Sequence, residues 1–390
     1  MSDRLTLGQR FNSDVLAALK QAFVGKDEVI DLLGVSLVAC ENLFILGPPG
    51  TAKSAVVQEL AARIHGRVFD YLLTRFTEPN ELFGPVDIRV FREGTYQRRT
   101  ERMLPTSEIV FLDEVFKSNS AILNSLLTIL NERRFANGST IMQVPLLSLY
   151  GASNEVPADD ALEAIYDRFL LRVYSDNLDS YHFHGLIEKG IAYETARLNA
   201  QTKAAEPVLP SATLHQIHAN LPRYLNFSPE FISRYKALVF QIRNEGISIS
   251  DRRVIKLLKL FAGSAIFDGR TTADESDFFV LKHIWNNLDQ REILKDIIDP
   301  VLDRFYQANP QVARKSGPGA SLEDLIHEVR LIEEVLASGE QLSDIQLFSQ
   351  LKNLNDIKTA LGHINSPAAQ EIQQRVDRRL QSLFESSKFV

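Results

Sequence analysis

Cysteine is almost absent from this 390-residue chain: Cys40 stands alone, which excludes a disulfide framework and any cysteine-built metal site. It lies in an apolar helical run and reads as a small buried hydrophobe. A reducing, cytoplasmic setting is the expectation. Positive charge is also scarce, with 43 Lys and Arg against 50 Asp and Glu, a net charge of -7. Duplex nucleic-acid binding driven by phosphate neutralisation is therefore disfavoured as the main activity, although a local basic patch fits within that average. Long apolar runs are missing too. The most apolar stretch, residues 29–46, is interrupted by Asp31, Glu41 and Asn42, so no membrane span is expected. The N-terminus, MSDRLTLGQRF, lacks the apolar core of a secretory signal. The eight histidines show no ligand spacing, and His182 and His184, flanking Phe183, read as ordinary helix or loop residues.

Hydrophobic residues make up 45% of the chain, enough for well-buried cores in two or three domains. The first half alternates short apolar strands with amphipathic helices, the pattern of an α/β sheet flanked by helices. Asp27 can cap a helix through Val29, Leu32, Leu33 and Leu37. The runs 43–46, 109–112 and 146–150 read as strands, and 109–112, apolar on both faces, as a buried central one. From about Asp179 helices take over. Residues 229–243 and 251–267 carry apolar side chains at helical spacing. Residues 315–320 form the clearest linker, and Ser321 to Asp324 resembles a capping box. The following helix puts Leu322, Leu325, Ile326, Val329, Ile332, Val335 and Leu336 on one face; a last helix does so with Ile372, Val376, Leu380, Leu383 and Phe384.

Between the strand at 43–46 and a helix from about Lys53 to His65 runs Gly47-Pro48-Pro49-Gly50-Thr51-Ala52-Lys53-Ser54. A glycine-rich loop in that context is a Walker A motif. Its N–H groups can curl around phosphate oxygens, and the helix N-terminus adds partial positive charge. Lys53 would reach the β- and γ-phosphates of ATP, and the Ser54 hydroxyl would be a hard oxygen ligand for Mg²⁺. Ala52 stands where a second glycine is usual, and it fits if its φ is negative. Asp113-Glu114 emerge from the buried strand, at the strand edge where open α/β sheets bind ligands. Asp113 would hold Mg²⁺ and Glu114 would polarise the attacking water.

GPPGTAKS, the strand IVFLDEVFK, and ALEAIYDRF after an Asn-bearing strand together resemble the AAA+ ATPases, more narrowly the MoxR family and its RavA-like branch. The resemblance covers roughly residues 20–290. It implies a P-loop αβα core with a parallel sheet over 1–178, an α-helical lid over 179–276, and a further helical region over 277–390. It also implies a homo-oligomeric ring, usually a hexamer, with ATP sites between subunits. Members often remodel proteins alongside a partner carrying a von Willebrand factor A domain. In that branch alanine before the lysine is accepted.

By the same resemblance Asn154 is sensor 1, orienting water between Glu114 and the γ-phosphate, or more plainly a polar cap. Arg168 is the arginine finger of a neighbouring site, or a simple ion-pair partner of Asp167 or Glu163. Arg252 is sensor 2, with adjacent Arg253 as the competing assignment and a solvated basic turn as the alternative. Val24 and Gly25 are placed near adenine. Residues 82–99 resemble a hairpin inserted in the second helix, and residues 135–138 the hairpin before sensor 1, with Asn137-Gly138 as turn signal. Arg89, Arg92, Arg98, Arg99 and Arg102 in the first suit an acidic partner, a nucleic-acid backbone or merely solvent. Two other functions remain in play. One is a nucleic-acid motor like the minichromosome maintenance helicases, which share these inserts. The other is a non-hydrolysing, ATP-dependent assembly switch, against which the intact Asp113-Glu114 pair argues.

Overall fold

The computed structural model describes residues 7–157, 160–178, 180–199, 208–310, 322–337, 343–362, 364 and 366–386. Two compact units emerge: one from residues 1–21, 28–176 and 203–314, the other from residues 22–27, 177–202 and 315–390.

The first unit is built on a five-stranded parallel sheet ordered β2-β3-β6-β1-β7. Its strands are β1 (Leu43–Leu46), β2 (Val68–Leu72), β3 (Ile109–Asp113), β6 (Ser148–Ser153) and β7 (Leu171–Tyr174). β1, β3 and β6 lie inside the sheet. Their apolar residues are buried on both faces, so they read as continuous hydrophobic runs. The third strand starts two residues later than the apolar run at 146–150 suggests and continues through Gly151-Ala-Ser153. Gly151 has no room for a side chain: a Cβ would lie 2.6 Å from the Phe169 ring. Phe169 belongs to an aromatic cluster on β1, where Phe44 meets Phe116, Tyr166 and Phe169 with centroids 5.2, 5.4 and 5.7 Å apart.

Three helices flank the strands: α1 (Asp27–Ala39), α2 (Lys53–Ile64) and α3 (Ser120–Glu132). Asp27 is the first residue of α1 rather than its cap. Asn119 caps α3, its side chain accepting from the Ile122 N–H at 3.1 Å. Further along are α4 (Pro229–Asn244), α5 (Asp251–Phe267) and α6 (Gln290–Ala308). Ser228 and Ser250 cap α4 and α5. Phe231, Tyr235, Phe261 and Phe278 interlock edge-to-face and stacked between them. Helix α5 is clamped at the entry to β1, where buried Glu41 takes ion pairs from Lys256, at 2.9 Å, and Lys259. Cys40, half-buried just past α1, occupies a left-handed turn (φ 51°), not the helix interior.

Two projections rise from this unit. β4 (Arg134–Asn137) and β5 (Thr140–Gln143) form an antiparallel hairpin whose loop is Gly138-Ser139. In residues 82–99 only the antiparallel base of a second hairpin forms. These residues fold as the end of a short helix (Pro79–Phe83), another short helix (Ile88–Arg92) and one isolated bridge, Val86 to Arg98. Asp87 caps the second helix, its carboxylate accepting from the Arg89 N–H at 2.9 Å, while its own N–H donates across the bridge to the Gln97 carbonyl at 2.7 Å and the Arg99 N–H donates to the Pro85 carbonyl at 2.8 Å. The two projections are pinned together. Asn137 accepts from the Arg98 N–H and donates to the Arg98 carbonyl, at 2.7 and 3.0 Å. Phe83 stacks on Phe135 at 5.2 Å. Gly138, at φ 65°, lies so close to the Tyr96 carbonyl that a Cβ would sit 1.7 Å from its oxygen.

The second unit is helical in the residues described, with helices at Ser180–Leu198, Leu322–Ala337, Asp344–Gly362 and Pro367–Ser386. Leu325, Val329, Ile332, Leu354, Ile357, Leu361 and Val376 form its core. Val335 instead faces out, 41% exposed. The linker at 315–320 and Ser321 lie outside the described residues, as do the side chains of Leu383 and Phe384. No helix among the described residues is long and apolar enough to cross a membrane.

Candidate nucleotide site

The register of the sheet assembles the site. Leu46 of β1 pairs with Ser153 of β6, and Leu112 of β3 with Gly151 of β6. The residues that follow these strands, the loop 47–54, Asp113-Glu114 and Asn154, therefore leave the sheet side by side at one edge. Asn154 joins the motifs. Its Nδ2 donates to Glu114 Oε1 at 2.7 Å, and its Oδ1 accepts from Lys53 Nζ at 3.4 Å. Lys117 Nζ lies 3.2 Å from the other Glu114 oxygen, at ion-pair distance but outside hydrogen-bond geometry. That Lys117 contact has no motif to announce it; only the i, i+3 spacing to Glu114 hints at it.

Lys53 is 8% exposed and donates to the carbonyls of Gly47 and Pro48 at 2.7 and 2.8 Å. Burial pulls its ammonium below the ordinary lysine range; the charges of Asp113 and Glu114 oppose this without cancelling it. A buried cation with incomplete compensation fits a polyanionic ligand. The loop is stitched in place. Thr51 Oγ1 donates to the Pro48 carbonyl at 3.0 Å and Ser175 Oγ to the Thr51 carbonyl at 3.2 Å. A Cβ on Gly47 would collide with the Ser175 carbonyl oxygen at 2.1 Å, so only glycine fits there. Gly50 is at φ 84° with open space around it. Ser54 stands in the first turn of α2, directly after Lys53, and Asp113 Oδ1 accepts from the Glu114 N–H at 2.9 Å. A hydroxyl and a carboxylate at one sheet edge form the oxygen donor set that Mg²⁺ prefers.

Ala52 overturns an expectation. Its φ is +61° and its ψ 21°, in the left-handed region, where a negative φ was required for an easy fit. The loop demands the backbone of the usual glycine, and alanine adopts it at a cost of about 1–2 kcal/mol. Glu114 is held likewise, at φ 53°.

The arginines divide. Arg168 precedes β7, whose first residue, Leu171, pairs with Leu43 at the start of β1. It therefore lies at the sheet edge opposite the loop. There Asn42 donates to its carbonyl at 3.3 Å, and its guanidinium pairs with Asp167 at 2.6 Å. Arg252 lies at that same far edge: its Nη2 donates to Asn131 Oδ1 at 2.9 Å in the last turn of α3. Next to Asn131, Arg133 bonds the Cys40 carbonyl and Asn42, at the entry to β1. Arg253 is a different kind of residue. It is 4% exposed and donates to Asn286 Oδ1 at 3.0 Å and the Ile284 carbonyl at 2.8 Å, with its Nε left buried and without a hydrogen bond. Arg172, not singled out in the sequence, converges on the same turn. It donates to the Trp285 carbonyl at 2.6 Å and Asn286 Oδ1 at 2.8 Å and covers the Tyr166 ring at 4.0 Å. Burial first, then the neighbouring Arg253 charge, lowers its guanidinium to about 9. Val24 and Gly25 fall in the second unit.

Comparison with known proteins gives these features a context. Residues 9–216 match the family described as the MoxR domain in the MoxR-vWA-beta-propeller ternary systems, and residues 229–298 match an AAA lid domain. The chain is 34% identical over 367 residues to the uncharacterized protein MJ0812 of Methanocaldococcus jannaschii, covering 90% of this chain and 91% of that one. It is 24% identical over 159 residues to the chaperone MoxR1 of Mycobacterium tuberculosis, covering 40% of this chain and 41% of that one. A crystal structure from Cytophaga hutchinsonii, described as a candidate ATPase, superposes with a TM-score of 0.62 at 19% identity, covering 77% of this chain and 96% of that one.

Proposed function

The chain belongs to the MoxR family of AAA+ ATPases, and on that premise we propose that it hydrolyses ATP in a ring of its own copies, most simply a hexamer, to remodel a protein partner. One observation carries the reading: Asn154 reaches Glu114 and Lys53 at once, at 2.7 and 3.4 Å, where three strand ends meet. Lys53 and the loop N–H groups hold the triphosphate. Glu114 accepts a proton from the attacking water, and Asn154 fixes the carboxylate that does so. Mg²⁺, held by Ser54 and Asp113, would neutralise charge on the phosphate oxygens. Catalysis of this kind is mostly positioning and charge stabilisation.

Arg168 and Arg252 supply the neighbouring copy's site in this reading. The support is topological, because both lie at the sheet edge away from the chain's own loop. The core would end near residue 178, and the lid after it would move as hydrolysis proceeds. A von Willebrand factor A partner is part of the proposal, supported by the ternary systems for which the matched family is described. Alanine before the Walker lysine supports a place on the RavA-like side of the family.

Steady-state turnover and nucleotide calorimetry test this. Lys53→Ala should lose nucleotide binding. Glu114→Gln should bind ATP without turning it over. Arg168→Ala should also bind but not turn over, and mixing it with Glu114→Gln subunits should restore part of the activity. No rescue at any mixing ratio would sink the shared site. Turnover in wild type as slow as in Glu114→Gln would leave only an assembly switch.

A further inference from the structure

The site as described cradles phosphate; Val24 and Gly25, expected near adenine, fall in the second unit, and no residue of the first unit is yet assigned to the other end of the nucleotide. Strand order fixes where that end must go. Asp113, Glu114 and Asn154 leave β3 and β6, which lie on one side of β1. The reacting end of the triphosphate is therefore on that side of the loop. A nucleotide laid along the loop sends its nucleoside to the other side, which belongs to β7.

Tyr174, the last residue of β7, pairs with Leu46, the last residue before the loop. The next residue is bound to the loop directly: the Ser175 N–H donates to the Leu46 carbonyl at 2.7 Å, and its hydroxyl to Thr51. Over the Tyr174 ring stands Arg291, with its guanidinium carbon 4.9 Å from the ring centroid. Arg291 belongs to the first turn of α6. The segment leading to α6 is tied to the same edge by His283, whose Nε2 lies 3.2 Å from Glu28 in the first turn of α1. The half-buried Arg291 guanidinium also acts at longer range on Glu28, whose carboxyl it helps His283 and Lys282 hold low, while its plane stays stacked on the ring.

We propose that the Tyr174–Arg291 stack is the nucleoside subsite, taking the flat face of a purine base while the loop holds its phosphates. A planar cation over an aromatic ring offers a sequence of parallel faces on which a purine adds one more layer. Arg291 is then the lid cation that serves the chain's own nucleotide, whereas Arg252 lies at the far edge. This rests on the phosphate cradle proposed above, and the test separates the two.

The probes are MgADP and magnesium tripolyphosphate, a phosphate chain without a nucleoside, titrated calorimetrically into the full chain. Arg291→Ala should weaken MgADP about tenfold, the scale of one base-stacking contact, and leave tripolyphosphate unchanged. Tyr174→Leu should do the same, while Tyr174→Phe, which keeps the ring, should bind MgADP like wild type. Arg291→Ala binding MgADP as wild type does, or losing both ligands equally, overturns the subsite. If Arg291→Ala fails to fold, the Tyr174→Leu and Tyr174→Phe pair decides alone: equal affinities for MgADP overturn it. A wild-type chain that takes up neither ligand refutes the cradle itself.

Discussion

Replacing Ala52 by glycine should stabilise the protein, against the usual rule that glycine weakens a helix start. Ala52 sits at φ 61° immediately before α2. An L-residue in that region costs roughly 1–2 kcal/mol, which glycine does not. Glycine gives back part of this, about 0.4–1 kcal/mol, because the unfolded chain gains freedom. The difference leaves Ala52→Gly more stable by about 0.5–1 kcal/mol. For a unit of this size that is a rise of roughly 1–3 °C in Tm. A negative φ at the same position predicts the opposite sign, a fall of similar size, since glycine then brings only its entropy. The assay is differential scanning calorimetry of the nucleotide-free chain at matched scan rates, following the transition of the first unit. Ala52→Val serves as the reverse control and should melt lower, because β-branching worsens the strain. An unchanged or lowered Tm for Ala52→Gly would refute the left-handed assignment and the argument built on it.

Two further outcomes follow from buried charge. Arg253→Ala should cost about 2–3 kcal/mol, because it strips charged hydrogen bonds from the buried Ile284–Asn286 turn, while Arg252→Ala should change stability by less than about 0.5 kcal/mol; matched melts decide this. Glu41→Gln should cost about 3 kcal/mol at neutral pH by leaving Lys256 and Lys259 unpaired. Burial alone would raise the Glu41 carboxyl, but Lys259 and Lys256 hold it below the ordinary 4.5. Its folded value is thus depressed, so its contribution is full above the unfolded value and fades as pH falls through the folded one. The gap in Tm between wild type and Glu41→Gln should narrow below about pH 4.5, the ordinary value named above; a constant gap down to the acid transition would contradict the clamp.

Much of this architecture is written in local pattern. The apolar run at 109–112 and the helical spacing at 251–267 recur as β3 and α5 because burial on both faces, or on one stripe, dictates each. The loop 47–54 is equally plain, since Gly47 marks where backbone and neighbour collide and Gly50 takes a positive φ. What escaped the sequence depends on partners distant in the chain. The sign of φ at Ala52 is set by the whole loop. The helix at Ile88–Arg92, capped by Asp87, sits between the paired residues 85–87 and 97–99, where alternation suggests strand throughout. Arg252 and Arg253 look alike as neighbours, yet a helix start turns one outward and the other under Ile284. Tyr174 and Arg291 are more than a hundred positions apart, and no periodicity joins them.

The pinned projections have a mechanical consequence. Because Asn137 grips Arg98 on both sides of its backbone and Gly138 lies against Tyr96, the tip at Ile88–Arg92 cannot be tugged without moving the β4–β5 ribbon. That ribbon runs within a few residues into β6, whose end is followed by Asn154. Ile88 and Phe91, both largely exposed, thus stand on a tip joined through that ribbon to the strand that precedes Asn154, the side chain bonded to Glu114.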